Sequence, residues 1–346
     1  MGVARLRGIL GLIAVIVALV LWLLVLIGCS LGVVLEEGRV SVKVLAYVEN
    51  PYTSTIPLAL RASLTTGRKP AASILLPVNV SGVLEPSGVS VNMTGAGVVE
   101  VSLPGASASL MLKGVASAPS MRDALARMMV EDQHAELTLR VLTPLGVSEQ
   151  RLEASIPTRQ YFSSTLRGLV EAAASRLEGA GIGVDGAYVR IVSARLVGQE
   201  IDASKLLAVE TLKVCVKAEP SPPLPFTANI SLSARLVDES TSHRVAYTLK
   251  PLNVTIGPSV ECGVMEVGIP LENVSEALLY AAWILGVQGT YNATVDLELS
   301  ASAYNLPPVT GTVSYNISLT QPFVIHTSIA VGKARIPVTV SLLLSS

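Results

Sequence analysis

Residues 39–48 read RVSVKVLAYV, followed by Glu49-Asn50-Pro51-Tyr52. Val40, Val42, Val44, Ala46 and Val48 fall on one face of an extended chain, the period of a strand buried on one side. Pro51 cannot donate to a ladder and holds Asn50 out of the helical region, so the strand stops there. The pattern returns later. Leu212–Pro220 (LKVCVKAEP) echoes Val42–Pro51 (VKVLAYVENP), and Pro225–Leu236 (PFTANISLSARL) echoes Pro57–Leu64 (PLALRASL). Asn273–Leu278 echoes Ser120–Leu125, each with a capping residue, an acid three later, then Ala-Leu. Ala293–Leu299 echoes Ala135–Val141, and Val313–Phe323 echoes Leu152–Phe162. Caps and alternating strands are generic one at a time. Five echoes in the same order argue for an internal duplication.

The rest of the chain fills in around this repeat. Ile56–Leu64 alternates as the second strand, and short strands follow at Ile74–Val80, Val89–Met93 and Val98–Leu103, with Gly and Pro between them. Pro119-Ser120-Met121-Arg122-Asp123 opens a helix in which Ser120 caps free amides and Leu125, Met128 and Met129 form the apolar stripe. Ala135–Leu142 and Gln150–Pro157 close the first unit near Phe162. A second helix spans Ser164–Glu178, with Leu166, Leu169, Val170, Ala173 and Leu177 at helical spacing, and ends at Gly179. Gly181-Ile182-Gly183-Val184-Asp185-Gly186 matches the GxGxxG pattern of dinucleotide sites. It follows a helix and precedes a strand, the reverse of what phosphate binding at a helix start requires. It reads as a flexible connector. Ala187–Val197 leads the second unit and Ile325–Leu344 closes it, where Lys333 and Arg335 argue against a membrane span.

Upstream, Ile9–Ile27 (ILGLIAVIVALVLWLLVLI) holds no charge and no proline. As a helix it spans about 28 Å, close to the ~30 Å hydrocarbon core of a bilayer. Arg5 and Arg7 precede it and Glu36 and Glu37 follow it, so the basic side stays cytoplasmic and the remainder lies outside. An uncleaved anchor is the first reading. A cleaved signal peptide, whose apolar region is usually shorter, is the second. A third takes Leu26-Ile27-Gly28-Cys29 as a lipoprotein signal box with the lipid on Cys29.

Seven of the nine asparagines stand in N-x-S/T: Asn79, Asn92, Asn229, Asn253, Asn273, Asn292 and Asn316. None has Pro between, and all lie beyond the anchor, as glycosylation outside the cell requires. Beyond Cys29 the chain has only Cys215 and Cys262. An oxidising compartment permits a disulfide between them, and two buried free thiols in separate strands are the alternative.

The net charge of −1 carries no basic cluster, which argues against a nucleic-acid partner. Aromatics at 4% leave few stacking platforms. His134, His243 and His326 have no ligand-spaced partner, and no GxSxG, HExxH, P-loop or EF-hand pattern occurs. No catalytic residue, metal ligand or cofactor is expected.

The expected architecture is therefore an all-β ectodomain with a few helices. It comprises a cytoplasmic 1–7, a transmembrane 8–35, a first Ig-like β-sandwich at 36–162, a helical connector at 163–186 and a second sandwich at 187–346. Each sandwich carries one helix.

This pattern resembles the LEA-2, or WHy, domain over residues 40–163 and 187–324. The first unit carries the likeness at Asn50-Pro51, Leu103-Pro104, Ser120–Leu125 and Ile156-Pro157. The second carries it at Ile269-Pro270, Asn273–Leu278 and Tyr291–Leu299, and departs where Glu219-Pro220 replaces Asn-Pro. The resemblance implies a β-sandwich with one helix, an N-terminal anchor in many members, no catalysis, and a link to stress protection. Some anchored relatives are proposed to carry lipid in a groove of the sandwich. The expectation is a non-catalytic structural or interaction protein of the cell envelope, its partner another envelope protein. Binding of a lipid or small apolar ligand between the sheets is the alternative, and an extracellular hydrolase the more remote one.

Overall fold

The computed structural model describes residues 39–46, 48–50, 52–65, 72–102, 105–143, 146–156, 158–184, 187–222, 224–303, 307–320, 323–331 and 334–344. The readings of 8–35 as an anchor and of Cys29 as a lipid site lie outside these residues. Among the described residues no helix is long and apolar enough to cross a membrane.

The chain is mostly strand. In order run β1 (Arg39–Ala46), β2 (Thr55–Thr65), β3 (Ala72–Glu85), β4 (Val89–Ser102), β5 (Gly105–Ser117), α1 (Met121–Val130), β6 (Gln133–Thr143) and β7 (Gly146–Ile156). Then come α2 (Thr158–Leu177), β8 (Gly181–Val184), β9 (Ala187–Asp202), β10 (Leu207–Glu219), β11 (Phe226–Val237), β12 (Ser242–Lys250), β13 (Leu252–Ile256) and β14 (Glu261–Pro270). The last elements are α3 (Leu271–Gln288), β15 (Thr290–Ala303), β16 (Val309–Thr320), β17 (Phe323–Val331) and β18 (Ala334–Leu344).

The chain divides into two compact units. One comprises described residues within 1–158, 279–291 and 319–346, the other those within 159–278 and 292–318. The first unit holds a nine-stranded sheet in the order β17-β18-β1-β2-β5-β4-β3-β6-β7. The second holds β16-β15-β11-β12-β14-β10-β9-β8, with β13 paired to β11. These orders superimpose element for element: β7, β6, β3, β4, β5, β2 and β1 match β16, β15, β11, β12, β14, β10 and β9. Pro251 splits the counterpart of β4 into β12 and β13. A helix follows the strand that ends each meander, α1 after β5 and α3 after β14, with 271–278 of α3 counted in the second unit and 279–288 in the first. Strands β2 to β5 form a Greek key, the fourth returning beside the first, and β10 to β14 repeat it. The duplication is thus a shared topology. The two leading echoes are displaced by one strand: the counterpart of β10 is β2, and that of β11 is β3. Alternating valine strands resemble one another closely enough that the sequence match slid along by a full strand.

Each sheet buries one face. In the first, Leu58, Leu60, Val78, Val80, Val91, Met93, Leu112 and Leu139 are at most 5% exposed. Met121, Ala124, Ala126, Met128, Met129 and Val130 of α1 are buried, while Leu125 is half-buried. Ser120 caps α1 by accepting from the Asp123 amide at 3.2 Å. In the second sheet β10 alternates regularly, with Ala208, Glu210, Leu212, Val214, Val216 and Ala218 inward. This sheet doubles back on itself. Ile182 and Ile191 from β8 and β9 line one cavity together with Ile230 and Leu299 from β11 and β15, far along the strand order.

Several readings are corrected. Of the strands read at Val89–Met93 and Val98–Leu103, residues 89–93 and 98–102 are parts of one strand, β4, which passes through Gly95 and Gly97 without turning. A Cβ at Gly95 would run into the Met111 carbonyl oxygen, so glycine there serves close strand approach. β5 carries little strand signal in the sequence because its Ser, Ala and Gly residues have weak strand propensity, with only Leu110 and Leu112 alternating clearly. The connector at 181–186 contains β8, paired antiparallel with β9 from Gly181–Arg190 to Val184–Ala187. Helix α2 begins at Thr158 rather than Ser164, and most of the 163–186 segment counts with the second unit. Its Leu166, Ala174 and Leu177 are buried, whereas Leu169 is exposed. Helix α3 begins at Leu271, so Asn273 lies inside its first turn and does not cap it. The span 187–346 does not stay in one unit. β17 and β18 join the first sheet, where β18 runs parallel to β1 with Val40 opposite Val338. Alternation marks a strand but does not name its neighbour, and the unfilled edge beside β1 takes this hairpin.

Candidate functional site

On a strand, N-x-S/T places the asparagine and the hydroxyl residue on the same face. The sequons therefore gather by register. On the first sheet Asn79 stands opposite Thr94 and Ser81 opposite Asn92, two sequons interlocked across β3 and β4. On the second, Asn229 of β11 stands opposite Asn253 of β13. Thr294, the hydroxyl member of the Asn292 sequon, donates to Asn316 Oδ1 at 3.0 Å. Asn92, Asn229, Asn253, Asn292 and Asn316 are exposed. The other two differ. Asn79 is half-buried, with its Oδ1 enclosed and without a hydrogen-bond partner. Asn273 is half-buried, and its Nδ2 donates to the Arg244 carbonyl at 2.9 Å.

Cys215 and Cys262 are directly opposite on β10 and β14 and are bonded, with Cα atoms 4.0 Å apart. Cys262 faces solvent and Cys215 is half-buried, so the bridge sits on the outer face of the sheet.

A buried polar chain was missed in the sequence. Glu210 of β10 is fully buried. Gln199, opposite it on β9, donates from Nε2 to Glu210 Oε1 at 2.8 Å. The Ser163 hydroxyl of α2 donates in turn to Gln199 Oε1 at 2.8 Å. Glu210 Oε2 has no hydrogen-bond partner. Burial pushes the Glu210 carboxyl up, against the pull of the Gln199 amide and the more distant Arg167 charge. The signal was legible: an acid at an inward position of an otherwise apolar alternation. The chain joins helix to sheet and offers no reacting group to solvent.

The three histidines lie on three different strands. His134 is exposed at the start of β6 and His243 is half-buried on β12. His326 lies on β17 in the first unit. Among the described residues no three His, Cys, Asp or Glu side chains gather as metal ligands. A cavity in the second unit, lined by Ile182, Val189, Ile191, Val216, Ile230 and Leu299 among others, measures about 10 Å³. That is room for one water-sized sphere and far too little for an acyl chain.

No family model matches the sequence, and no curated protein matches it. Solved structures give faint likenesses. The partial N-terminal region of the enterococcal surface protein aligns with 81% of this chain and 94% of its own at 9% identity and a TM-score of 0.16. The YadV chaperone covers 81% of this chain and 100% of its own, at 12% identity and 0.16. The Enterococcus faecalis MSCRAMM ACE covers 87% and 93%, at 8% identity and 0.14. Scores this low settle neither fold nor function.

Proposed function

We propose that this chain is a non-catalytic, membrane-anchored and glycosylated protein of the cell envelope, whose two sandwich-like units of LEA-2 type serve a structural or interaction role outside the cell. The observation that carries the reading is the outward placement of sequon asparagines on both sheets. Five of the seven are exposed, and on strands the pattern keeps each acceptor and its hydroxyl on the solvent face. Asparagines in the core, or a fold that turned the sequons inward, would have removed that support. The exposed Cys215–Cys262 bridge suits the same oxidising compartment. One cavity between strands of the second unit, lined by Ile182, Ile191, Ile230 and Leu299, is too small for an acyl chain, which supports a scaffold there over a lipid carrier.

Native mass spectrometry of the detergent-extracted full-length protein, before and after deglycosylation, tests this. The expected result is an intact chain retaining residues 1–28, carrying heterogeneous glycan mass and no bound lipid. An unmodified mass would overturn the glycoprotein reading. A lipid adduct that survives delipidating washes would favour the ligand carrier, and loss of 1–28 with lipid on Cys29 would replace the helical anchor.

A further inference from the structure

Two bulges shape the outer face of the second sheet. Thr211 of β10 pairs with Gly198 of β9 and Leu212 with Leu196, so Val197 is left over. Cys215 pairs with Ser193 and Val216 with Ile191, so Val192 is left over as well. An extra residue of this kind bends its strand and re-aims side chains. Both valines reach solvent, Val197 at 57% and Val192 at 38% exposure. Val264 of β14, two strands away on the same face, is 47% exposed.

Register gathers on this face bases that the sequence scatters. Arg195, between the two valines, stands opposite Lys213, and Lys213 stands opposite Val264. Arg190 stands opposite Lys217. Their chain neighbours Val189, Ile191, Ala194, Leu212, Val214, Val216 and Ala218 are buried, so the four bases are in the outward phase. Like charges directly opposite on one sheet face are destabilising. Lys217 is answered by Glu219 at 3.3 Å. Arg190, Arg195 and Lys213 form no ion pair among the described residues. The acids of the face stand at its margins. Glu219 is taken by Lys217, Glu266 reaches Lys250 at 3.7 Å, and Glu200 lies beyond Gly198, opposite Val209. Glu178, exposed just past the end of α2, makes no ion pair with the three free bases.

The sequons leave this face clear. In the second unit the exposed acceptors Asn229, Asn253, Asn292 and Asn316 lie on β11, β13, β15 and β16. The strands at the other end of the order, β14, β10, β9 and β8, contain no asparagine.

We infer that the outer face of β9, β10 and β14 is a docking surface, and that its partner is another protein presenting carboxylates among apolar side chains. The inference deepens the interaction role proposed above and rests on it. The partner's carboxylates relieve the opposed Arg195 and Lys213, and its apolar side chains cover Val192, Val197 and Val264. An anionic polysaccharide answers the charge but leaves the three valines in water.

The test places a photoreactive side chain at Val197 of the full-length protein, and in a second sample at Ser231 on the sequon-bearing β11. Both are irradiated in the native membrane, and the adducts are digested and sequenced by mass. The expected result is an adduct at 197 on a peptide of another protein that carries Asp or Glu beside apolar residues, with no such peptide at 231. Lys213→Glu gives Arg195 an opposite charge and should abolish the adduct without lowering the melting temperature. If that variant is destabilised, Arg195→Gln with Lys213→Gln removes both charges and should abolish the adduct equally. No adduct at 197, an adduct on a peptide without acids, or one that persists in a folded charge variant would overturn the inference. An adduct on polysaccharide, on lipid or on this chain itself would overturn the protein partner. The glycan mass is read from the same samples. A chain without glycan that still gives the acidic-peptide adduct would sink the glycoprotein reading alone and leave the docking surface standing.

Discussion

Asn229 on β11 and Asn253 on β13 stand directly opposite each other on an exposed sheet face, each the acceptor of its own sequon. Opposed side chains on antiparallel strands have Cβ atoms only about 5 Å apart, too close for two branched glycans to stand freely. Glycopeptide mapping is expected to find one of the two occupied per molecule, with Asn92, Asn292 and Asn316 modified independently. Asn79 and Asn273 are expected to be bare, the first enclosed at Oδ1 and the second committed to Arg244. Full double occupancy at 229 and 253 would contradict the register argument.

Glu210 sets a pH dependence whose sign is fixed by its burial. Its folded pKa is raised, so the folded state binds a proton more tightly than the unfolded chain does. Its contribution is most favourable at or below the ordinary carboxyl range and declines as pH rises from there through the folded pKa, staying at its lowest above it. Glu210→Gln removes the charge while keeping the size. Melting temperature should rise at neutral pH and change little near pH 4. Gln199→Ala strips the side-chain hydrogen bond that Glu210 Oε1 accepts and should cost roughly 1–3 kcal/mol. A lower melting temperature for Glu210→Gln at neutral pH would mean the carboxylate is paired in a way the structure does not contain.

The Cys215–Cys262 bridge closes a sequence separation of 47 residues. The chain-entropy account assigns such a loop about 4 kcal/mol. Reduction, or Cys215→Ser with Cys262→Ser, should lower the second unit's unfolding transition by up to that amount without changing secondary structure by circular dichroism. An unchanged transition would show that β10 and β14 are held without it.

Gly95 and Gly183 make a matched pair of substitutions. A Cβ at Gly95 meets the backbone of Met111, whereas one at Gly183 meets nothing within 4 Å. Gly95→Ala should destabilise the first unit by roughly 1–3 kcal/mol through forced strand separation. Gly183→Ala should be close to neutral. Equal effects in denaturant titrations would remove close approach as the reason for glycine in β4.

The period-2 alternation made the strands legible wherever Val, Leu and Ile carry it, as in β1, β10 and β11. It failed where small residues line the sheet, as in β5, because Ser-Ala alternation has little hydrophobic contrast. It misled at Gly95 and Gly97, where the strand makes no turn and Gly95 accommodates the Met111 backbone. Pairing was out of reach. Nothing in Ile325–Leu344 says that it returns to β1, and the one-strand displacement of the leading echoes has the same cause, since partners are chosen by edges that exist only after folding. The sequons were legible as a set. Their mutual facing and the partial enclosure of Asn79 needed the register. Glu210 was visible as an acid in the inward phase, but its link through Gln199 to Ser163 required knowing that α2 lies over β9.

Protease accessibility of the full-length protein in sealed, right-side-out membranes, with peptides identified by mass, tests whether both units stand outside the cell on an N-terminal anchor. The expected result is cleavage in the segments between strands from 47 onward, and a protected fragment that retains 1–35 and stays with the membrane after carbonate. Protection of residues beyond 39 until the membrane is permeabilised, or release of the whole chain by carbonate, would contradict it.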